Sequence, residues 1–240
     1  MKKSLLYISL LLSVHANASI INVGDTTLTS NWNAGNSVLN ITGKITGAYT
    51  ISNAIIQANP FIQIFDTTIT LGANIQCDKF YSSWYGANPL NTDNSTQLQL
   101  CINSCKDRPY ALFIPSGIYN TSKPLIVATP TGGGYYAQTS IKIFGTATFW
   151  GTGSQINYSG DSCALGLQLN KGSRISGLII SGGWASPSGS DSTYFNTSSA
   201  NYTNQNAHGN GVGLWIDPVG NWSQRSGSTG CHFSDLYVKN

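Results

Sequence analysis

From Val38 to Cys77 the chain alternates. In "VLNITGKITGAYTISNAIIQANPFIQIFDTTITLGANIQC" the residues Ile, Val, Leu and Phe recur at every second position, and Gly, Asn and Pro interrupt the run every few residues. A period of two with frequent turn residues predicts short strands, each burying one face, joined by tight turns. The same pattern returns in "YALFIPSGIYNTSKPLIVAT" (110–129) and in "TSIKIFGTATFWGTG" (139–153). One segment departs from it. In "YGANPLNTDNSTQLQLCINSC", Tyr85 to Cys105, the spacing of Leu98, Cys101, Ile102 and Cys105 predicts an amphipathic helix, with Asp93 or Thr92 as its N-cap. The alternation of Leu98, Leu100 and Ile102 leaves a strand as the alternative.

Near the end the pattern repeats itself. "GLQLNKGSRISGLIISG" (Gly166 to Gly182) and "GLWIDPVGNWSQRSGSTGCHFSDLYVKN" (Gly213 to Asn240) share Gly-Leu-x-apolar, a turn, then apolar-Ser-x-Leu-x-apolar. This pairs Gly166 with Gly213, Asn170 with Asp217 and Ile175 with Phe233. A polar, aromatic-dotted insertion, Gly183 to Asn210, separates the copies. Without it the repeat is a coil of roughly 20 residues, the length of one turn of a stacked parallel β-helix. A single coil cannot bury its apolar side, and stacking makes the core continuous. An end coil would expose unpaired strand edges, so the amphipathic helix reads as a lid over the N-terminal end.

Composition supports the strands. There is no Glu, all nine acids are Asp, and Gly, Ser, Thr and Asn abound, which starves helices and feeds turns. Hydrophobic residues at 40% are enough for a sizeable core. The opening "MKKSLLYISLLLSVHANAS" has two lysines, an apolar run and an Ala16-Asn17-Ala18 cleavage site, so residues 1–18 read as a signal peptide of bacterial type. The remainder is expected to be secreted or periplasmic, with no membrane anchor. Without Lys2 and Lys3, ten Lys and Arg face nine Asp, a balance of +1 that gives no footprint for nucleic acid or a membrane surface. The five cysteines, Cys77, Cys101, Cys105, Cys163 and Cys231, show no metal-ligand spacing, and Cys163 and Cys231 read as small core residues, with a disulfide as the alternative.

The residues resemble a known family. Phe80, Tyr85-Gly86-Ala87, Asp93, then Phe113-Ile114-Pro115-Ser116-Gly117-Ile118-Tyr119, Pro124-Leu125 and Ile143-Phe144-Gly145 resemble the opening of the pectate-lyase-like superfamily, which includes rhamnogalacturonase- and epimerase-like proteins and spike proteins. The family's Gly-Asp-Gly turn is replaced by "NPLNTDNST". The resemblance implies an all-β chain, a right-handed single-stranded parallel β-helix with an N-terminal capping helix. Strands at 19–78 would precede a β-helix domain at 79–240, incomplete at its C-terminus. It implies a carbohydrate-active protein that acts on or binds an acidic polysaccharide along its outer face, as lyase or hydrolase. The other reading is a non-catalytic surface or spike-like β-helix, or an inactive fragment. No cofactor is evident from the residues; the resemblance alone leaves room for calcium and for a homo-oligomer.

Candidate chemistry is sparse. Glycosidases need two carboxylates about the bond, and lyases need a base with a cation that neutralises the uronate. No two Asp residues are close in sequence, yet stacked coils bring remote residues to about 4.8 Å. Asp217, after "GLWI", reads as a catalytic or sugar-binding carboxylate or as an Asp-Pro turn residue. Asp191 in the insertion would overhang the same groove or be solvated loop. Asp235 reads as a turn residue. Lys171 and Arg174 would neutralise a uronate or be solvated turn residues, and His208 is an acid–base candidate or an incidental loop residue. For sugar binding, alternation turns Trp215 outward, with Trp184, Tyr194, Tyr202 and Trp222 in adjoining loops. The competing account buries Trp215 under the insertion.

Overall fold

A computed structural model describes residues 19–127, 139–148, 152–160, 164–168, 171–182, 214–217 and 231–239. The first part holds β1 (Ile20–Val23), β2 (Thr26–Thr27), β3 (Trp32–Ile41), β4 (Ile45–Thr46), β5 (Thr50–Ala58), β6 (Thr70–Leu71) and β7 (Ile75–Gln76). β1, β3 and β5 lie side by side and parallel, which stacks Ile21, Leu39 and Ile56 in one inward column. Leu39 is fully buried. The alternation of the sequence is thus realised as one face toward the core and one toward water. On the outer side asparagines form a ladder in which Asn74 Nδ2 donates to Asn53 Oδ1 and Asn53 Nδ2 to Asn33 Oδ1, at 2.8 and 3.0 Å.

The chain continues through β8 (Lys79–Tyr81), a 3-10 turn at Ser82–Tyr85, α1 (Ser95–Cys105), β9 (Ala111–Phe113), β10 (Gly117–Thr121), β11 (Leu125–Val127), β12 (Lys142–Phe144), β13 (Ser154–Tyr158), β14 (Leu165–Gln168), β15 (Arg174–Ser181), β16 (Leu214–Asp217) and β17 (His232–Lys239). Every pairing is parallel, and each pass of the chain revisits the same three faces in the same order, a β-helix-like stacking. Face one is β8, β9, β12 and the first halves of β15 and β17. Face two is β10, β13 and the second halves of β15 and β17. Face three is β11, β14 and β16. Between faces one and two the backbone turns at Gly177, with φ of 65°, and at Asp235 one coil later, with φ of 49°. Asp235 is therefore the turn residue its position suggested.

Apolar columns fill the space between the faces. Phe80, Leu112, Ile143, Ile175 and Phe233 are consecutive partners on face one, and the first four are at most 1% exposed. Tyr119, Ile156 and Ile180 do the same on face two. Each such side chain contributes about 2 kcal/mol when removed from water. Phe65, Tyr85, Phe80 and Tyr110 pack ring to ring at 5.5 to 6.1 Å between centroids and join the N-terminal strands to this core.

The helix forms where its period predicts. Leu98, Cys101, Ile102 and Cys105 are all buried. Its start differs in detail from the expectation. Asn94 is the N-cap residue, and its carboxamide oxygen accepts from Asn88 N at 2.8 Å rather than from the helix. Asp93 takes the Ser95 N–H at 2.9 Å, and its other oxygen accepts from Ser122 Oγ at 2.6 Å, which ties the helix start to the turn between β10 and β11. Four residues on, Gln99 bonds both the N–H and the carbonyl of Ile126 on β11. Strands precede the helix and stack on their own, so it seals a junction inside the stack. Among the described residues no helix is long and apolar enough to cross a membrane.

Candidate functional site

Face one carries its chemistry on the outside. Because Phe80, Leu112, Ile143, Ile175 and Phe233 point inward, the residue before each points outward. Those residues are Lys79, Ala111, Lys142, Arg174 and His232, in register from strand to strand. Adjacent coils are about 4.8 Å apart, so Lys142, Arg174 and His232 form an unbroken row of basic side chains. Lys79, Arg174 and His232 are exposed. Lys142 Nζ donates to Pro109 O at 2.9 Å and stays near the surface.

Two residues further along each strand lies a second outward column, Tyr81, Phe113, Phe144, Ser176 and Ser234. All five are half-buried. Tyr81 meets Phe113 edge to face at 5.5 Å, and the Lys79 ammonium sits 5.8 Å from the Phe113 ring centre. The site is therefore a row of basic side chains beside a column that runs from rings to hydroxyls toward the later coils. Like charges placed directly opposite on neighbouring strands destabilise a sheet. No carboxylate is ion-paired with Lys79, Lys142 or Arg174 among the described residues; the Asp66 carboxylate is taken by Lys44 at 3.1 Å, far along the chain.

The chain matches no family model, no curated protein and no solved structure. The site rests on its own geometry.

The structure relocates one anticipated residue and leaves others undescribed. Arg174 opens β15 and stands on the face, not in a turn. Lys171 is exposed three residues earlier, its N–H bonded to Thr139 O at 2.8 Å. In the last repeat Ile175 does pair with Phe233, but Leu165 pairs with Leu214, so Asp217 lies opposite Gln168 and Trp215 opposite Gly166. The match of Gly166 with Gly213 is therefore off by two residues. A shift of two keeps the inward–outward parity, which is why the sequence pattern tolerated it. Both residues belong to face three, away from the basic row. Asp191, Trp184, Tyr194, Tyr202, Trp222 and His208 lie outside the described residues, as does Cys163. Cys231 is half-buried just before β17. Among the described residues no three His, Cys, Asp or Glu side chains gather as a metal centre.

Cys77, Cys101 and Cys105 are held as thiols by burial. Cys101 and Cys105 are buried in the helix face, and burial drives both well above the usual thiol range. Cys77 is half-buried, and burial, helped by the nearby Asp78 carboxylate, pushes it up to about 12. A thiol so far from its thiolate is a poor nucleophile.

Proposed function

We propose that the chain is an exported β-helix of the pectate-lyase-like kind that binds an acidic polysaccharide along face one. One observation carries the reading: Lys142, Arg174 and His232 stand in register on consecutive strands, with Phe144 beside Lys142, Phe113 one strand before, and Ser176 and Ser234 beside the other two. A linear polymer of uronic acids presents a carboxylate at each repeat and an apolar patch on each ring. The basic row meets the first and the aromatic column the second. Cations with no carboxylate partner are poor structural elements and good anion receptors.

Binding is the part of the activity that these residues support directly. Cleavage would need an acid and a base beside the polymer; Asp217 is on face three, away from a polymer on face one, so the reading is of a binding protein. The test uses the exported chain on polygalacturonate and alginate as acidic probes and dextran as the neutral one. Affinity electrophoresis should show retardation by the acidic gels, weakening with added salt, and none by dextran. Equal behaviour on all three would remove the proposal. Unsaturated-uronate absorbance and reducing-end release, followed in the same samples, separate a lyase or hydrolase from a binding protein.

A further inference from the structure

The basic row of face one mixes two kinds of cation. Lys142 and Arg174 keep their charge throughout the physiological range, whereas histidine is the side chain whose charge ordinarily changes between pH 5 and 8. His232 is exposed and stands directly opposite Arg174, and its backbone N–H bonds Ser173 O at 2.8 Å, which fixes its place beside β15. Among the described residues β17 pairs with β15 alone, and Arg174 is the charged residue that β15 sets against it. Lys142 follows one strand further on, with two ammonium protons left over after its bond to Pro109 O. In its own segment Cys231 precedes His232, Asp235 stands at the corner, and Tyr237 and Lys239 lie beyond that corner.

A polymer laid across Lys142 and Arg174 meets His232 next, one coil step of about 4.8 Å further along. We propose that His232 makes the binding of an acidic polysaccharide to face one pH-dependent: its imidazole takes up a proton as the polymer docks and adds a third charge to those of Lys142 and Arg174. The inference rests on the reading of face one as an acidic-glycan surface. An anion beside an imidazole favours the protonated form, and by linkage protonation favours the anion to the same extent. The proton is drawn from the solvent, and no covalent bond other than its own N–H is made. The surface thus holds a polyuronate more firmly in mildly acidic surroundings than in neutral or alkaline ones.

The experiment is isothermal titration of the exported chain with polygalacturonate at pH 5.5, 7.0 and 8.0, each in two buffers of different ionisation enthalpy, which reads affinity and proton uptake together. Uronate carboxylates stay ionised at all three values, so a change in affinity reports the protein. The wild type should bind about fivefold more tightly at pH 5.5 than at pH 8.0, the size of one exposed ion pair, and should take up protons on binding at pH 7.0. His232→Gln should keep the weaker affinity at every pH and take up none. His232→Lys should keep the tighter affinity at every pH. The side chain is exposed, and urea midpoints equal to the wild type at pH 8.0 verify that both variants are folded. An affinity that does not change with pH in the wild type would overturn the role of His232 while leaving face one standing. A pH dependence that persists in His232→Gln would overturn it too, and assign the titration to another group such as His208. If polygalacturonate binds the wild type at no pH, the reading of face one fails and the role of His232 falls with it.

Discussion

Gln99 behaves toward Ile126 as a neighbouring strand would. Its side-chain Oε1 accepts the Ile126 N–H at 2.8 Å, and its Nε2 donates to the Ile126 carbonyl at 2.9 Å. β11 is the first strand of face three, with β14 on its other side. An open strand edge is a template for unwanted pairing. One carboxamide on α1 closes this one, while Asp93 fixes the helix in place two turns earlier. The helix is thus held to the strands by polar side chains at named points as well as by its apolar face.

Gln99→Ala should therefore destabilise the fold by about 2 kcal/mol, the sum of two hydrogen bonds to half-buried backbone groups. Urea unfolding would report this as a lower midpoint with the slope unchanged. A loss under about 0.5 kcal/mol would mean that water serves the β11 edge equally well.

Asp93 makes the same junction sensitive to acid. Partial desolvation works to raise its carboxyl, but hydrogen bonds from the side chains and backbones of Ser122 and Ser95 outweigh it and hold the group down at about 2. A carboxyl lowered on folding contributes stability that is present in full above its unfolded value, near 4, and is lost as pH falls toward 2. Asp93 is exposed, so solvent screening limits the contribution to about 1 kcal/mol. Comparing the urea midpoints of wild type and Asp93→Asn from pH 7 to pH 2.5 should show the gap closing in that window. A constant gap would show that the carboxylate's charge is not what binds the turn.

The strands and the one helix were legible in the sequence because their signals are periodic. Alternation marked the strands, and the spacing of Leu98, Cys101, Ile102 and Cys105 marked the helix. The site was legible only in part. A basic residue precedes the inward residue in Lys79-Phe80, Lys142-Ile143, Arg174-Ile175 and His232-Phe233, but these pairs lie 32 to 63 residues apart and come into one row only when the coils are stacked in register. The match of Ile175 with Phe233 already implied Arg174 beside His232. Reading Arg174 as part of a turn hid it, because the bend falls at Gly177, three residues later.

The basic row leads to an unusual expectation about stability. Arg174 stands between Lys142 and His232, and its side chain makes no hydrogen bond among the described residues. Arg174→Gln should leave the fold as stable as the wild type or raise its stability by a few tenths of a kcal/mol, since it relieves repulsion between adjacent strands. The same variant should weaken binding to polygalacturonate about tenfold and flatten its dependence on salt. Loss of stability together with unchanged binding would make the row structural.

The corner between faces one and two offers a test of the stacking itself. Gly177 holds φ at 65°, and a Cβ there would lie 2.5 Å from the Gly145 carbonyl oxygen of the coil before. Gly177→Ala thus combines a left-handed backbone with a collision against main chain that cannot rotate away, and should lose about 3 kcal/mol or more. Asp235 occupies the same corner one coil later, at φ 49°. Here a side chain is already accommodated, so Asp235→Gly relieves about 1 kcal/mol of strain and surrenders a similar amount to the freer unfolded chain. The two corners should differ sharply in urea unfolding: a large loss at Gly177, and a change within about 0.5 kcal/mol at Asp235. Equal losses at both would mean that the coils do not stack in the register of Gly145, Gly177 and Asp235.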